Sequence, residues 1–197
     1  MELRTATPTE LKAVYEALLR PSFPAAELKP LRAMTDMLAD GCYDPLVLLD
    51  GKEIIGTCFL WLGVPGWVLL DYLCVSSTRR GGGFGAKTLS LLREIYAGWT
   101  IIGEAEDPVQ APDPVMAERR LGFYTRNDAA LASYDTEAFG VHYKTFYWSD
   151  GPVDEADLIC QHRFIYESRF GAEKYARYLR IPCPADAKPM PLVPWDQ

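Results

Sequence analysis

Apolar positions along the chain change period several times, and each change predicts an element. Leu11, Val14, Tyr15, Leu18 and Leu19 follow the i, i+3, i+4, i+7, i+8 spacing of one buried helix face. Thr7-Pro8-Thr9-Glu10 opens that helix: Thr7 suits the cap, Pro8 the first helical position, and Glu10 completes a capping box. Pro21 and Pro24 end it. A second helix is expected from Ala25 or Glu27 to Leu38, stopping near Gly41. Residues 46–49 and 54–62 then read as strands around Asp50-Gly51, a hairpin signal. A third strand, 67–75, follows the turn at Pro65-Gly66. Strands joined by such tight turns must be antiparallel.

Beyond residue 75 the pattern alternates. A helix carries Leu89, Leu92, Ile95 and Tyr96 on its apolar side, and strand 99–106 follows. A strand that returns through a helical crossover is expected to lie parallel to the one it left, here 67–75. Residues 107–114 form a proline-rich loop, 115–124 a short helix and 141–148 a late aromatic strand. Residues 154–179 are a long helical stretch broken at Gly171, and 181–197, with five of the fifteen prolines, read as an extended tail. The chain is thus a mixed α/β protein with an appended helix.

Composition narrows the function. A chain of 197 residues, 49% apolar and 24% charged, is one sizeable globular domain, or one domain plus an appendage. Twenty basic against 27 acidic residues give a net charge of −7, which argues against a general nucleic-acid binder. An anion held by a few local cations and backbone amides remains compatible with that sum. No run approaches the roughly 20 apolar residues of a spanning helix, so no membrane partner is expected. The start, Met1-Glu2-Leu3-Arg4-Thr5, lacks the basic-then-apolar pattern of a secretory signal. Five widely spaced cysteines without a Cys-x-x-Cys fit a reducing, cytoplasmic location. His142 and His162 are the two histidines and lie far apart; both read as structural or surface residues, and no metal is expected.

Residues 80–86 are the most informative segment. Gly81, Gly82, Gly83 and Gly85, set between a strand and a helix, leave backbone amides unobstructed and with the helix start form an anion cradle. Arg79, Arg80 and Lys87 place positive charge beside it. Gly81-x-Gly83-x-x-Ala86 formally matches a dinucleotide fingerprint, with Glu104 and Glu106 about 20 residues on, where a ribose-binding acid belongs. The antiparallel hairpin ahead of the loop does not suit a dinucleotide fold, which leads into its loop from a parallel sheet.

A second reading accounts for more of the chain. Arg80-x-x-Gly83-x-Gly85 after the strand Leu69-Leu70-Asp71-Tyr72-Leu73-Cys74-Val75 resembles the pyrophosphate-binding motif of the GNAT superfamily of acyl-CoA N-acyltransferases. The Asp50-Gly51 hairpin fits it too. So does Arg119-Arg120-Leu121-Gly122-Phe123-Tyr124-Thr125-Arg126-Asn127, similar to the family's Arg-x-x-Tyr-x-x-Asn-Gly-Phe stretch, although Asp128-Ala129 stand in place of the final Gly-Phe. The resemblance covers roughly residues 1–150. It implies a mixed, mostly antiparallel central sheet flanked by helices, followed by a helical extension over 151–197. It also implies acetyl-CoA as co-substrate, the pantetheine arm pairing with backbone groups of Leu73, Cys74 and Val75, and the pyrophosphate on the amides of Arg80, Gly81, Gly82, Gly83, Phe84, Gly85 and Ala86. Tyr124 matches the tyrosine that serves relatives as thiolate acid.

The remaining chemistry is attack by a neutral amine on a thioester, which needs a proton acceptor, oxyanion stabilisation and an acid for the thiolate. Glu104 and Glu106 lie two apart in a strand and so share a face. They are either the base and its neighbour or a solvated strand face. Asp71 is a third acid, inside an apolar strand, and Cys74 reads as a buried apolar residue rather than an acetyl carrier. The expected acceptor is a small-molecule primary amine, with a protein amine as alternative. A noncatalytic acyl-CoA sensor or partner subunit and a nucleotide-dependent oxidoreductase are the competing classes. The expected state is monomer or homodimer. The 151–197 extension, with His162 and Tyr166 one helical turn apart, packs on the domain, covers the acceptor site or makes a dimer contact.

Overall fold

A computed structural model describes residues 1–25 and 27–193. They divide into two units: residues 1–62 with 70–97, and residues 63–69 with 98–193. Among the described residues the architecture is mixed α/β, with eight strands, mostly in antiparallel pairs, and five α-helices.

The first unit holds β1 (Glu2–Thr5), α1 (Pro8–Val14), α2 (Leu31–Ala39), β2 (Tyr43–Asp50), β3 (Glu53–Leu62), most of β4 (Trp67–Val75) and α3 (Phe84–Ile95). Its strands run in the order β1-β2-β3-β4. Asp50 faces Glu53 across the β2–β3 hairpin, so Gly51 and Lys52 make the turn, Gly51 with φ 62°. The capping box forms as expected: the Glu10 amide donates to Thr7 Oγ1 at 3.2 Å and the Thr7 amide to Glu10 Oε2 at 2.8 Å. The helix predicted through Leu19 is in fact two pieces. α1 ends at Val14 and the chain continues as one π-type turn over Tyr15–Leu19. Leu11, Val14, Tyr15 and Leu19 are buried across both pieces, so the apolar face survives the change of pitch.

α2 begins later than predicted, and the reason is local. Pro30 sits at ψ 140° as its cap, and a proline pushes the preceding residue out of the helical region. The segment before it is held another way. The Lys29 amide donates to the Tyr72 hydroxyl at 2.9 Å, and that hydroxyl donates to the Glu27 carbonyl at 2.8 Å.

The second unit holds β5 (Thr100–Glu106), α4 (Pro114–Thr125), β6 (Ala130–Ala138), β7 (Val141–Trp148), α5 (Glu155–Tyr178) and β8 (Leu179–Cys183), with strand order β5-β7-β6-β8 and every neighbour antiparallel. Three strands escape sequence reading: β1, β6 and β8. β6 carries a bulge between Leu131 and Asp135 that breaks its alternation. β8 is recognisable only through its pairing of Leu179 with Ala138 and Arg180 with Glu137, and it takes the start of the expected extended tail into the sheet. Gly171, at φ 72° and ψ 165°, breaks α5 where predicted. Among the described residues no helix is long and apolar enough to cross a membrane.

Candidate active site

In the first unit, β4 delivers the chain to the glycine segment. Cys74 is buried and Leu73 and Val75 are half-buried. Gly81 (φ 84°) and Gly83 (φ 75°) both take the left-handed conformation, which explains why glycine stands there. Among the described residues, chain neighbours aside, no heavy atom lies within 4 Å of where a Cβ on either residue would sit, so the loop's outer side is open. Gly83 is the N-cap of this 12-residue helix, α3, and has no side chain to accept from its first turn. The amides of Phe84, Gly85 and Ala86 therefore stand at the helix's positive pole without an acceptor from the cap residue's side chain. That is the donor set a pyrophosphate requires.

The expected cations are only partly available. Arg79 ion-pairs with Asp50, lies 3.5 Å from Glu53 and stacks its guanidinium 5.3 Å from the Phe84 ring centroid. Arg80 is exposed and donates from Nε to the Val75 carbonyl at 3.3 Å. Cys74 is not activated: burial pushes its thiol up to about 11, against smaller opposing effects of Ser22 and Arg80. Asp71 is committed elsewhere, in an ion pair with buried Lys29 and as acceptor from the Tyr43 hydroxyl at 2.5 Å.

The second unit contains the three expected catalytic residues, and it separates them. Gly103 faces Phe146 across β5–β7, and the Phe146 ring fills the space over Gly103. Tyr124 is buried and stacks on Phe146 with centroids 4.2 Å apart. Glu104, the next residue in the strand, points to the opposite face. There its Oε2 accepts from the Tyr166 hydroxyl at 2.7 Å, and its Oε1 lies 3.3 Å from His162 Nε2. His162 is fully buried, and its Nδ1 is 3.1 Å from the Tyr134 hydroxyl. Burial, and then the charges of Glu104 and Glu155, hold the Tyr134 phenol well above its ordinary value, so it stays protonated. Glu106, on the same face by alternation, is ion-paired with Arg120 of α4 at 2.5 Å.

Sequence reading placed His162 and Tyr166 on one helix face but gave no sign that both meet Glu104. Their spacing was the available signal; the partner strand was not. The departure at Asp128 also has a structural answer. Asp128 has φ 65°, so an aspartate occupies a left-handed position that glycine would take without strain. Elsewhere in this unit, Glu137, His142 and Cys183 bring their ligand atoms within 4.8 Å of one another. Glu137 already accepts from Arg180 at 2.7 Å and from the Met190 amide at 2.6 Å, so its carboxylate is neutralised and bonded by the chain itself.

No protein-family model and no curated protein sequence matches this chain. Solved structures do. A GNAT-family acetyltransferase from Bacteroides thetaiotaomicron is 21% identical, with a TM-score of 0.68 over 83% of this chain and 95% of that one. An aminoglycoside 6'-N-acetyltransferase complexed with coenzyme A is 12% identical, with a TM-score of 0.55 over 78% and 99%. The ribosomal-protein-S18-alanine N-acetyltransferase of Escherichia coli is 14% identical, with a TM-score of 0.55 over 78% and 96%. On these likenesses the chain has the fold of the GNAT acetyltransferases.

Proposed function

We propose that the protein is an N-acetyltransferase that moves an acetyl group from acetyl-CoA to a primary amine. The observation that carries this reading is the cradle itself: open left-handed glycines at 81 and 83 running into an α3 whose cap residue, Gly83, has no side chain to occupy its first amides. In this reading the amides of residues 80–86 bind the CoA pyrophosphate, and the backbone of Leu73, Cys74 and Val75 pairs with the pantetheine arm as an added strand would. Tyr124 gives its phenolic proton to the departing thiolate and regains one from solvent.

Of the two acids, Glu104 is the better base. Glu106 is occupied by Arg120, whereas among the described residues no lysine or arginine pairs with Glu104. The acceptor is a small amine. Proteins of this fold include acetyltransferases for aminoglycosides, for spermidine and for a ribosomal-protein alanine, so a protein amine is the alternative acceptor.

The test has two stages. Thermal-shift measurements with acetyl-CoA, CoA, NAD and NADP should show stabilisation by the first two. Thiol release from acetyl-CoA over a panel of polyamines, amino sugars, amino acids and amino-terminal peptides should then find turnover. Stabilisation by NAD alone would overturn the reading. Binding of acyl-CoA with no turnover on any amine or longer acyl donor would make the protein a sensor.

A further inference from the structure

Two buried polar atoms in the second unit face each other without satisfying each other. Glu104 Oε1 and His162 Nε2 are 3.3 Å apart, and among the described residues neither has a hydrogen-bond partner. Every other polar atom of the two side chains is engaged, Glu104 Oε2 by Tyr166 and His162 Nδ1 by Tyr134. Unpartnered buried polar atoms are costly, and two of them aimed at one another across hydrogen-bond distance mark a place for one proton.

We propose that Glu104 and His162 work as one proton-accepting pair, with His162 the positioning residue. The inference rests on the acetyltransferase reading above. The geometry divides the roles. The Glu104 side chain keeps 12% of its surface exposed although Oε1 itself is buried; the His162 side chain is 0% exposed and acts only through Glu104. As the amine nitrogen attacks the thioester carbonyl, its N–H bond breaks and an O–H bond forms on the Glu104 carboxylate, whose rotation carries the hydroxyl to the buried Oε1 position facing His162 Nε2. That hydroxyl donates to the lone pair of Nε2, or the proton crosses to Nε2 and leaves an imidazolium against a carboxylate. After the amide departs, the proton returns to solvent through the exposed edge of Glu104.

Histidine improves the base for a physical reason. An unassisted carboxylate titrates near about 4 and an imidazole near about 6.5, and general-base catalysis is most efficient when the acceptor titrates near the working pH. Placing both on one proton line combines the reach of the carboxylate with the proton affinity of the ring. The groups facing His162 are Glu104 from β5, Tyr134 from β6 and Tyr166 from its own helix, the last with ring centroids 5.8 Å apart. Tyr134 in turn feels Glu155 and Tyr175. Tyr134 also lines a pocket of about 540 Å³ with Ser133, Asp135, Lys144 and Thr145.

The experiment combines spectroscopy with kinetics. The chain has two histidines, so ring nitrogens are assigned by comparison with a His142→Gln sample. In nitrogen-15 spectra of the full chain, Glu104→Gln should displace the Nε2 signal of His162 and leave His142 in place. In thiol-release assays, His162→Gln should lower kcat/KM for the amine roughly 10- to 100-fold, leave KM for acetyl-CoA unchanged and move the acid limb of the pH profile to lower pH. Tyr134→Phe, a smaller change, should act in the same direction by several-fold. An unmoved His162 signal in Glu104→Gln, or a His162→Gln enzyme with the native rate and acid limb, would overturn the pairing. Absence of any turnover in the native protein would overturn the acetyltransferase reading and the catalytic use of the pair with it, and the spectra would then show separately whether the two side chains share a proton.

Discussion

The ring of Phe146 occupies the space that a side chain on Gly103 would need, its Cε2 2.2 Å and its Cζ 2.3 Å from where the Cβ would be. Phe146 is fully buried and packs against Gly103 and the rings of Tyr124 and Trp148. It cannot retreat without disturbing both. Gly103→Ala should therefore destabilise the protein by about 1–3 kcal/mol, the usual cost of overpacking a filled core. Urea unfolding would measure it, and a stability equal to the native protein's would show that Phe146 has room to move.

Lys29 carries the first unit's most buried cation. It is 2% exposed, it ion-pairs with Asp71, and its ammonium lies 5.0 Å from the Trp61 ring centroid and 5.2 Å from that of Tyr72. Burial, followed by the charge of Asp71, holds the Tyr43 phenol well above its ordinary value, so it remains a donor to that carboxylate and not a second anion. Lys29→Met leaves Asp71 charged and buried, which should cost about 3–5 kcal/mol. Adding Asp71→Asn should recover a large part of the loss. Denaturant midpoints of the two variants decide the matter.

Cys74 lies on the strand assigned to the pantetheine arm, and its thiol stays protonated at neutral pH because burial pushes it up to about 11. Iodoacetamide at neutral pH should label the exposed Cys160 well before Cys74 or Cys58, which should react only after unfolding. Incubation with acetyl-CoA should leave no acetyl group on Cys74. A stable acetyl adduct at that residue by mass spectrometry would replace direct attack with a covalent route.

Glu10 ties the start of α1 to β1 through Arg4, with contacts of 3.0 and 2.8 Å. The Arg4 hydrogen bond, and after it the Thr7 amide, lower its carboxyl from 4.5 to about 2. A carboxyl depressed in the folded state stabilises above its unfolded value and loses that contribution as pH falls toward the folded one. Thermal midpoints of Glu10→Gln should therefore fall below those of the native protein at neutral pH, with the gap closing between about pH 4.5 and pH 2. A constant gap across that range would assign the effect to the cap alone.

Local and periodic information was enough for much of this protein. The capping box at Thr7, the Asp50-Gly51 hairpin, strand 67–75 and the break at Gly171 depend on neighbours a few residues away, and the structure carries all four. The glycine segment was legible for the same reason, since left-handed backbone and exposed amides are properties of the segment itself. What tertiary structure decided involves partners far apart in the chain. β1, β6 and β8 are strands because of what they pair with, β8 with residues more than 40 positions away. The two acids at 104 and 106 look equivalent in sequence, yet folding gives one to Arg120 and the other to His162 and Tyr166, 58 and 62 positions on. A carboxylate's chemistry is set by its neighbours' charge and hydrogen bonds, and those neighbours arrive only when α4 and α5 pack onto the sheet.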